Sequence, residues 1–325
     1  MDTSARMRTL HYAGAGRVEL IEVPRPVPAP GEALVRIEAS ALCGSEREAL
    51  LAGHPTNFGH EAAGRILEAN GPLEGFAPGE RVGLYAVVGC GSCPMCAIGR
   101  ETMCEKEPEV RSGWHAEYAA VPIRCLRRAP ADLDAGLTAL ATGDPLGVPV
   151  RAARRAPSGS GTSVGVVGLG PVGLAHVLLR AAQGASVIGI EPSPFRRELA
   201  ERLGASRTVA PEDAEGGFDL VIECTGLPAV VESSFGLVRT GGTMLQSGEC
   251  ERPVALSPSA TMIHREISYT GSWYYATEDF AAMIAALEAG LDLGALRTHE
   301  VPAEDAQAAV TEFLEGRTGK VVFTW

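Results

Sequence analysis

No run of apolar residues in this chain approaches the ~20 that a membrane-spanning helix needs. The opening stretch, Met1 to Leu10, also lacks the apolar segment of a secretory signal. Excess positive charge is missing too. The formal net charge is -12, which disfavours nucleic acid or an anionic membrane as the main partner, since both demand basic surface. There is no internal repeat and no low-complexity linker. What remains is a 325-residue chain with 46% hydrophobic residues, enough for a sizeable core and, at ~100–200 residues per domain, for two domains. The expected location is the cytoplasm.

Cysteine, by contrast, is plentiful. Eight are present, and Cys90, Cys93, Cys96 and Cys104 fall within fifteen residues. In a long chain held in a reducing compartment, a tight cluster favours metal over disulfides. Two-residue gaps let neighbouring thiolates bend onto one tetrahedral ion, and a fourth from the return of the loop closes the shell. Four sulfurs leave no open position, so a zinc held there is structural. Iron–sulfur ligation also uses thiolates, and spacing does not separate the two.

The first half reads as β-rich. Val18 to Val23, Ala33 to Ile37, Ala62 to Ala69, Arg81 to Tyr85 and Trp114 to Tyr118 carry strand patterns, broken by Pro24, Pro26, Pro28, Pro30 and Gly31. Cys43 follows a strand end, a good place to present a ligand from a rigid scaffold. Sixteen residues later comes Gly59-His60-Glu61-Ala62-Ala63-Gly64. Taken alone, His60 beside Glu61 reads as a satisfied core pair. Ala139 to Ala156 reads as a helix broken by Pro145 and Pro149, with Asp144 in the place of an ordinary N-cap.

A different periodicity takes over after Pro157. Ser163 to Val167 is an apolar strand, and Gly168-Leu169-Gly170-Pro171-Val172-Gly173 opens a helix that stops at Gly184. A second strand, Ser186 to Ile190, ends at Glu191. A glycine fingerprint that follows a strand, opens a helix and is answered by an acid marks a dinucleotide site. Gly168 and Gly170 permit the tight turn and close approach to the pyrophosphate, and Gly173 lets helix and strand pack. The helix N-terminus faces the phosphates, and Pro171 suits its first turn. Glu191 can accept from the adenosine ribose hydroxyls and repels a 2′-phosphate, so NAD is favoured over NADP. Arg196-Arg197 is the counter-signal, expected on the exposed face of the helix Phe195 to Leu203. Further alternation of strand and helix predicts a parallel doubly wound sheet. Its strand ends nominate Cys224, Thr225, Ser247, Gly248, Gly271 and Ser272 as the nicotinamide-side wall. Cys224 and Cys250 otherwise read as small buried residues.

With these residues in place, the chain resembles the zinc-containing medium-chain alcohol and polyol dehydrogenases. The likeness covers nearly the whole length, from the Pro-rich strands and Cys43-Gly44-Ser45 to Gly319-Lys320-Val321-Val322-Phe323. It implies an α/β protein with a chaperonin-10-like (GroES-like) β-rich catalytic domain at 1–145 and 272–325, carrying a structural-zinc lobe at 88–105. A doubly wound Rossmann domain would occupy 146–271, and the assembly would be a homodimer or homotetramer. Cys43 and His60 match the catalytic zinc ligands. Asp144 stands where the family places its third ligand, and Glu61 matches the acid that ligates directly or exchanges with water in polyol-type members. Ser45 matches the hydroxyl that relays the substrate proton, although by itself it reads as a turn serine. The run Glu46-Arg47-Glu48 departs from relatives that carry Asp and a nearby His there, which leaves the outer proton path open.

The resemblance implies two zincs per chain, one catalytic and one structural, and NAD as hydride acceptor. A secondary alcohol (a polyol, sugar, cyclitol or related compound) would be converted to a ketone. The alternatives are an NADPH-dependent carbonyl reductase on the same scaffold and a non-catalytic dinucleotide-binding sensor.

Overall fold

The computed structural model describes residues 5–325; Met1 to Ser4, assigned above to the first catalytic segment, lie outside the described residues. Strands β1 (Arg6–Gly14) and β2 (Arg17–Pro24) form an antiparallel hairpin. Then follow β3 (Glu32–Ala41), α1 (Arg47–Ala52), β4 (Glu61–Ala69) and β5 (Arg81–Leu84). The two-residue strands β6 (Val87–Val88) and β7 (Glu109–Val110) pair across the base of the cysteine lobe, which contains the single turn α2 (Pro94–Ala97). β8 (Tyr118–Pro122), β9 (Leu126–Arg127), α3 (Ala135–Thr142) and α4 (Asp144–Arg155) complete this half.

The alternating half runs β10 (Ser163–Val167), α5 (Pro171–Ala182), β11 (Ser186–Ile190), α6 (Pro194–Arg202), β12 (Arg207–Val209) and β13 (Phe218–Glu223). α7 (Pro228–Leu237), β14 (Val238–Gln246) and β15 (Ser268–Gly271) close it. The chain ends with α8 (Phe280–Glu288), β16 (Arg297–Pro302), α9 (Ala306–Leu314) and β17 (Lys320–Thr324).

Two sheets carry the molecule. The first has the order β12-β11-β10-β13-β14-β15, all parallel. That order reverses direction between β10 and β13, which opens a crevice beyond the strand ends. The second has the order β16-β17-β3-β4-β5-β9, with β8 also on β3. β17 pairs with the last residues of β3 and β8 with the first, so β3 is completed by strands from distant parts of the chain. The apolar residues of both sheets meet around α3 and α4: Val35, Ile66, Leu140, Leu146, Val166 and Leu174 belong to one continuous buried cluster.

Three local expectations change. The helix expected over Ala139 to Ala156 breaks at Gly143, not at its prolines. Pro145 sits in the first turn of α4, where its missing N–H costs nothing, and Pro149 lies inside the helix. Asp144 is therefore the first residue of α4 and not its N-cap, which is Gly143. Trp114 to Glu117 is not a strand; only Tyr118 onward pairs with β3, because this segment is drawn down against β1 by Thr9 and Leu10.

Candidate active site

The register of the second sheet brings the first two expected ligands together. Ala41, the last residue of β3, lies opposite Glu61, the first of β4. Cys43, two residues beyond one strand, and His60, just before the other, therefore emerge at the same sheet end. α4 delivers Asp144 to that point, and Gly143 packs against Glu61 so closely that an added Cβ would stand 3.2 Å from its Cγ. Ligand atoms of Cys43, His60, Glu61 and Asp144 all lie within 4.8 Å of one another, and all four residues are buried.

The roles of the atoms follow from their partners. The Nδ1 of His60 is 2.8 Å from the carbonyl of Phe58. A carbonyl only accepts, so Nδ1 carries a proton and Nε2 is the nitrogen left to face the quartet, where it could bind a metal. That Nε2 is 3.2 Å from Asp144 Oδ2, which is also 3.5 Å from Cys43 Sγ. Asp144 Oδ1 is buried and has no hydrogen-bond partner among the described residues. Glu61 is differently placed. The Lys320 ammonium donates to both its oxygens, at 2.5 and 2.6 Å, and to the Leu42 carbonyl at 3.2 Å. Lys320 begins β17, which pairs antiparallel with the end of β3; the sheet thus carries it to the same corner.

Electrostatics expose a shortage of positive charge. Burial pushes the Cys43 thiol up, against the pull of Lys320, and pushes the Glu61 carboxyl up as well. Burial opposes a charged His60, but the adjacent Asp144 carboxylate outweighs it and raises the imidazole well above its usual range. In the deprotonated forms that bind a metal, one thiolate and two carboxylates would face one fixed ammonium among the described residues. Thiolate, imidazole and carboxylate at this spacing are a zinc donor set, and a dication supplies the missing charge. The unpartnered Asp144 Oδ1 fits that donor set. A metal ion therefore suits the residues present.

Behind Cys43 lies a buried polar chain that the sequence did not announce. Glu46 is fully buried; its Oε1 accepts from the Cys43 N–H at 2.9 Å, and the Tyr12 hydroxyl donates to Oε2. His115 Nε2 is 3.2 Å from Glu46 Oε2, and its Nδ1 is 2.8 Å from Ser40 Oγ, which also accepts from Trp325 Nε1 at 2.9 Å. Burial alone would raise Glu46, but His115 overcomes it and holds the carboxyl at about 2. His115, distant in sequence, is thus the histidine that meets Glu46, the residue following Ser45. Ser45, in the same turn, is exposed.

Cys90, Cys93, Cys96 and Cys104 form a second cluster with sulfurs within 4.8 Å. Backbone N–H groups point at these sulfurs: Cys90 at Cys104 (3.3 Å), Cys93 and Ser92 at Cys90 (3.3 and 3.5 Å). Such donors favour thiolate, and with the Ser92 hydroxyl they bring the Cys90 thiol down to about 5. The lobe is tied down by Arg100 to Glu278 at 2.9 Å and by Thr277 to Glu101 at 2.8 Å.

At the crevice of the parallel sheet, Gly168 has φ +84° and Gly170 caps α5, with Pro171 as its first residue and Val172 its second. An added Cβ on Gly173 would sit 1.9 Å from the Gly168 carbonyl, so only glycine permits this packing; Gly170 faces open space. Glu191 is at the loop as expected, accepting from Leu169 N–H at 2.8 Å and Ser193 N–H at 3.1 Å. Buried Glu223 shapes the facing turn through the N–H groups of Thr225 (2.6 Å) and Gly226 (3.0 Å). Ser247, Gly248, Gly271 and Ser272 line one cleft of about 560 Å³ together with Thr102 and Arg155. The metal quartet lies outside that lining. Two expectations fail here. Arg196 and Arg197 are half-buried, since Arg196 reaches the Thr318 carbonyl (3.3 Å) and Arg197 folds back on the Glu191 carbonyl (2.8 Å). Cys224 and Cys250 are likewise only half-buried; Cys224 directly follows β13, and Cys250 lies in the loop after β14.

Two family models match the chain: an alcohol dehydrogenase GroES-like domain over residues 29–131 and a zinc-binding dehydrogenase over residues 171–289. The L-threonine 3-dehydrogenase of Pyrococcus abyssi is 30% identical, over 98% of this chain and 97% of its own. A thermostable alcohol dehydrogenase from Pyrobaculum aerophilum superposes with TM-score 0.86 at 27% identity, covering 99% of this chain and 100% of that one. A protein described as a zinc-binding dehydrogenase of Sinorhizobium meliloti 1021, bound to NADP, gives TM-score 0.85 at 27% identity with the same coverage. No helix among the described residues is long and apolar enough to cross a membrane.

Proposed function

The chain belongs to the zinc-containing medium-chain alcohol dehydrogenases, and from that premise we propose that it oxidises a secondary alcohol to a ketone with NAD as acceptor. The observation that carries this reading is the convergence of Cys43, His60 and Asp144 on one point, with an Asp144 oxygen left unpartnered. These three are assigned as the catalytic ligands. Glu61 stands by, because Lys320 occupies both of its oxygens. The four-cysteine lobe is assigned a second, structural zinc. The division into catalytic parts at 1–145 and 272–325 and a coenzyme-binding part at 146–271 belongs to the same proposal, as does assembly as a homodimer or homotetramer.

Zinc with three protein ligands supplies a Lewis acid that lowers the pKa of a substrate hydroxyl. Ser45, exposed beside Cys43, accepts the hydroxyl proton and passes it outward. The Gly168–Gly173 turn and the α5 N-terminus hold the pyrophosphate, and Glu191 takes the ribose hydroxyls. A nicotinamide dinucleotide held there would supply the hydride acceptor. Glu191 supports NAD because a 2′-phosphate would meet its carboxylate.

The test is a panel of secondary alcohols (polyols, cyclitols and L-threonine) read at the NADH absorbance, with Cys43→Ala alongside. Turnover of the variant within about tenfold of wild type, worth ~1.4 kcal/mol of barrier, would remove Cys43 from the catalytic shell. The NADPH-linked carbonyl reductase reading keeps one observation in its favour, the Arg197 guanidinium folded beside Glu191. A preference for NADPH in the wild type, unrelaxed by Glu191→Ala, would replace NAD in the proposal.

A further inference from the structure

Three tyrosine rings pack on one another, with Tyr274 nearest His60, and two have satisfied hydroxyls. Tyr85 donates to the Tyr275 carbonyl at 2.8 Å, and Tyr275 donates to the Thr142 carbonyl. Tyr274 differs. Its ring stacks on Tyr275 at 5.1 Å, stands 5.9 Å from Tyr85 and 6.4 Å from the imidazole of His60. Its hydroxyl is buried and has no hydrogen-bond partner among the described residues, although the residue is only 9% exposed. Buried tyrosine hydroxyls ordinarily find a partner.

The backbone points the same way. Tyr274 has φ +52°, in the left-handed region where a bulky side chain is unusual. Strain of this kind persists where the surroundings hold a side chain for a purpose, and it clusters at active sites. The next two residues back, Trp273 and Ser272, line the cleft that carries the nicotinamide-side wall. Tyr274 thus follows directly on the segment that lines the cleft and sets its ring near His60. Its phenol stays protonated: burial, and then the charge of nearby Asp144, pushes its pKa well up. A buried phenol with no acceptor of its own is a donor awaiting an oxygen.

We propose that Tyr274 is a substrate-contacting residue whose phenol donates a hydrogen bond to the substrate oxygen at the Cys43–His60–Asp144 centre, alongside Ser45. This rests on the dehydrogenase reading above. The phenol keeps its proton throughout; Ser45 remains the group that takes the hydroxyl proton. The donor is worth most when that oxygen bears negative charge, so its effect falls on turnover more than on ground-state binding.

The experiment compares zinc-loaded wild type with Tyr274→Phe, which keeps the ring and its packing, and with Tyr85→Phe as a packing control. For Tyr274→Phe, kcat/KM for the alcohol is expected to fall on the order of 10²-fold, mainly in kcat. Zinc content, Tm and NAD affinity stay unchanged. Affinity of the enzyme–NADH complex for a short carboxamide, whose carbonyl mimics the ketone and does not turn over, falls about tenfold in the same variant, for the ~1.4 kcal/mol hydrogen bond it loses. Wild-type turnover and carboxamide affinity in Tyr274→Phe would overturn the inference and leave the dehydrogenase reading intact. Loss of zinc from that variant would also overturn it, by assigning the phenol to Asp144. Absence of zinc-dependent alcohol oxidation in the wild type itself would remove both.

Discussion

Lys320 is one of only two lysines in a chain that draws the rest of its positive charge from arginine. The other, Lys106, is exposed. A compact ammonium can reach both oxygens of Glu61 and the Leu42 carbonyl from a fully buried position, where the wide planar guanidinium would need more room. Removing one member of a buried ion pair strands the other charge. Lys320→Met is therefore expected to cost about 3–5 kcal/mol, measured as a lowered urea midpoint. The double variant Lys320→Met/Glu61→Leu should recover most of that loss. A loss in the single variant below about 1 kcal/mol would mean that Glu61 simply takes up a proton.

Among the elements, α5 depends on how closely it meets β10. Gly173→Ala places a methyl 1.9 Å from the Gly168 carbonyl, and the helix has to back away from the turn that cradles the pyrophosphate. NAD affinity, followed by quenching of protein fluorescence, is expected to weaken tenfold or more, about 1.4 kcal/mol. Metal content should not change. The same sheet has a pH-sensitive clasp at its other end. Asp219 on β13 accepts from the N–H and hydroxyl of Ser163 at the start of β10, and from Arg239 on β14. Those donors hold its carboxyl at about 2, below its ordinary 3.8. A depressed carboxyl stabilises the fold above its unfolded pKa and loses that contribution as pH falls through the folded one. Asp219→Ala should therefore be less stable than wild type at pH 6 by about 1 kcal/mol, discounted for partial exposure. The two unfolding curves should converge toward pH 2. A gap that persists there would mean the carboxylate is not the source.

For the whole molecule, metal stoichiometry is the informative measurement. Two zincs per chain are expected by elemental analysis, and one in Cys96→Ser. That variant should also show earlier proteolysis around residues 90–104, since the lobe is then tied mainly by Arg100 and Glu101. A single zinc in the wild type would leave one of the two clusters without its ion. What could be read beforehand follows a physical division. The glycine turn and the four cysteines act through local spacing, so their residues stand close together in the chain. Cys43 was marked by the strand end that presents it, whereas His60 and Asp144 read as ligands only through the family resemblance; the β3–β4 register then joined Cys43 to His60. Glu46 with His115, Glu61 with Lys320, and Tyr274 with His60 are contacts between distant segments, and no periodicity marks them. The directions of Arg196 and Arg197 escaped for the same reason: carbonyls of a remote turn and of the strand end, not helix faces, decide where those guanidinium groups go.

The split sheet also sets an order of events. Glu61 and the lysine that neutralises it are 259 residues apart, and the two are joined only when β17 slots between β3 and β16. Contacts of such separation form late, because the loop must close before the pairing rewards it. Until that strand arrives, Glu61 has no ammonium partner, because Lys320 is the one that donates to both of its oxygens. The His60 corner reaches its working charge only after the parallel sheet between the two segments has been made. Cys43, His60 and Asp144 all precede that strand, so the proposed ligands are in hand before the lysine that completes the charge of the corner.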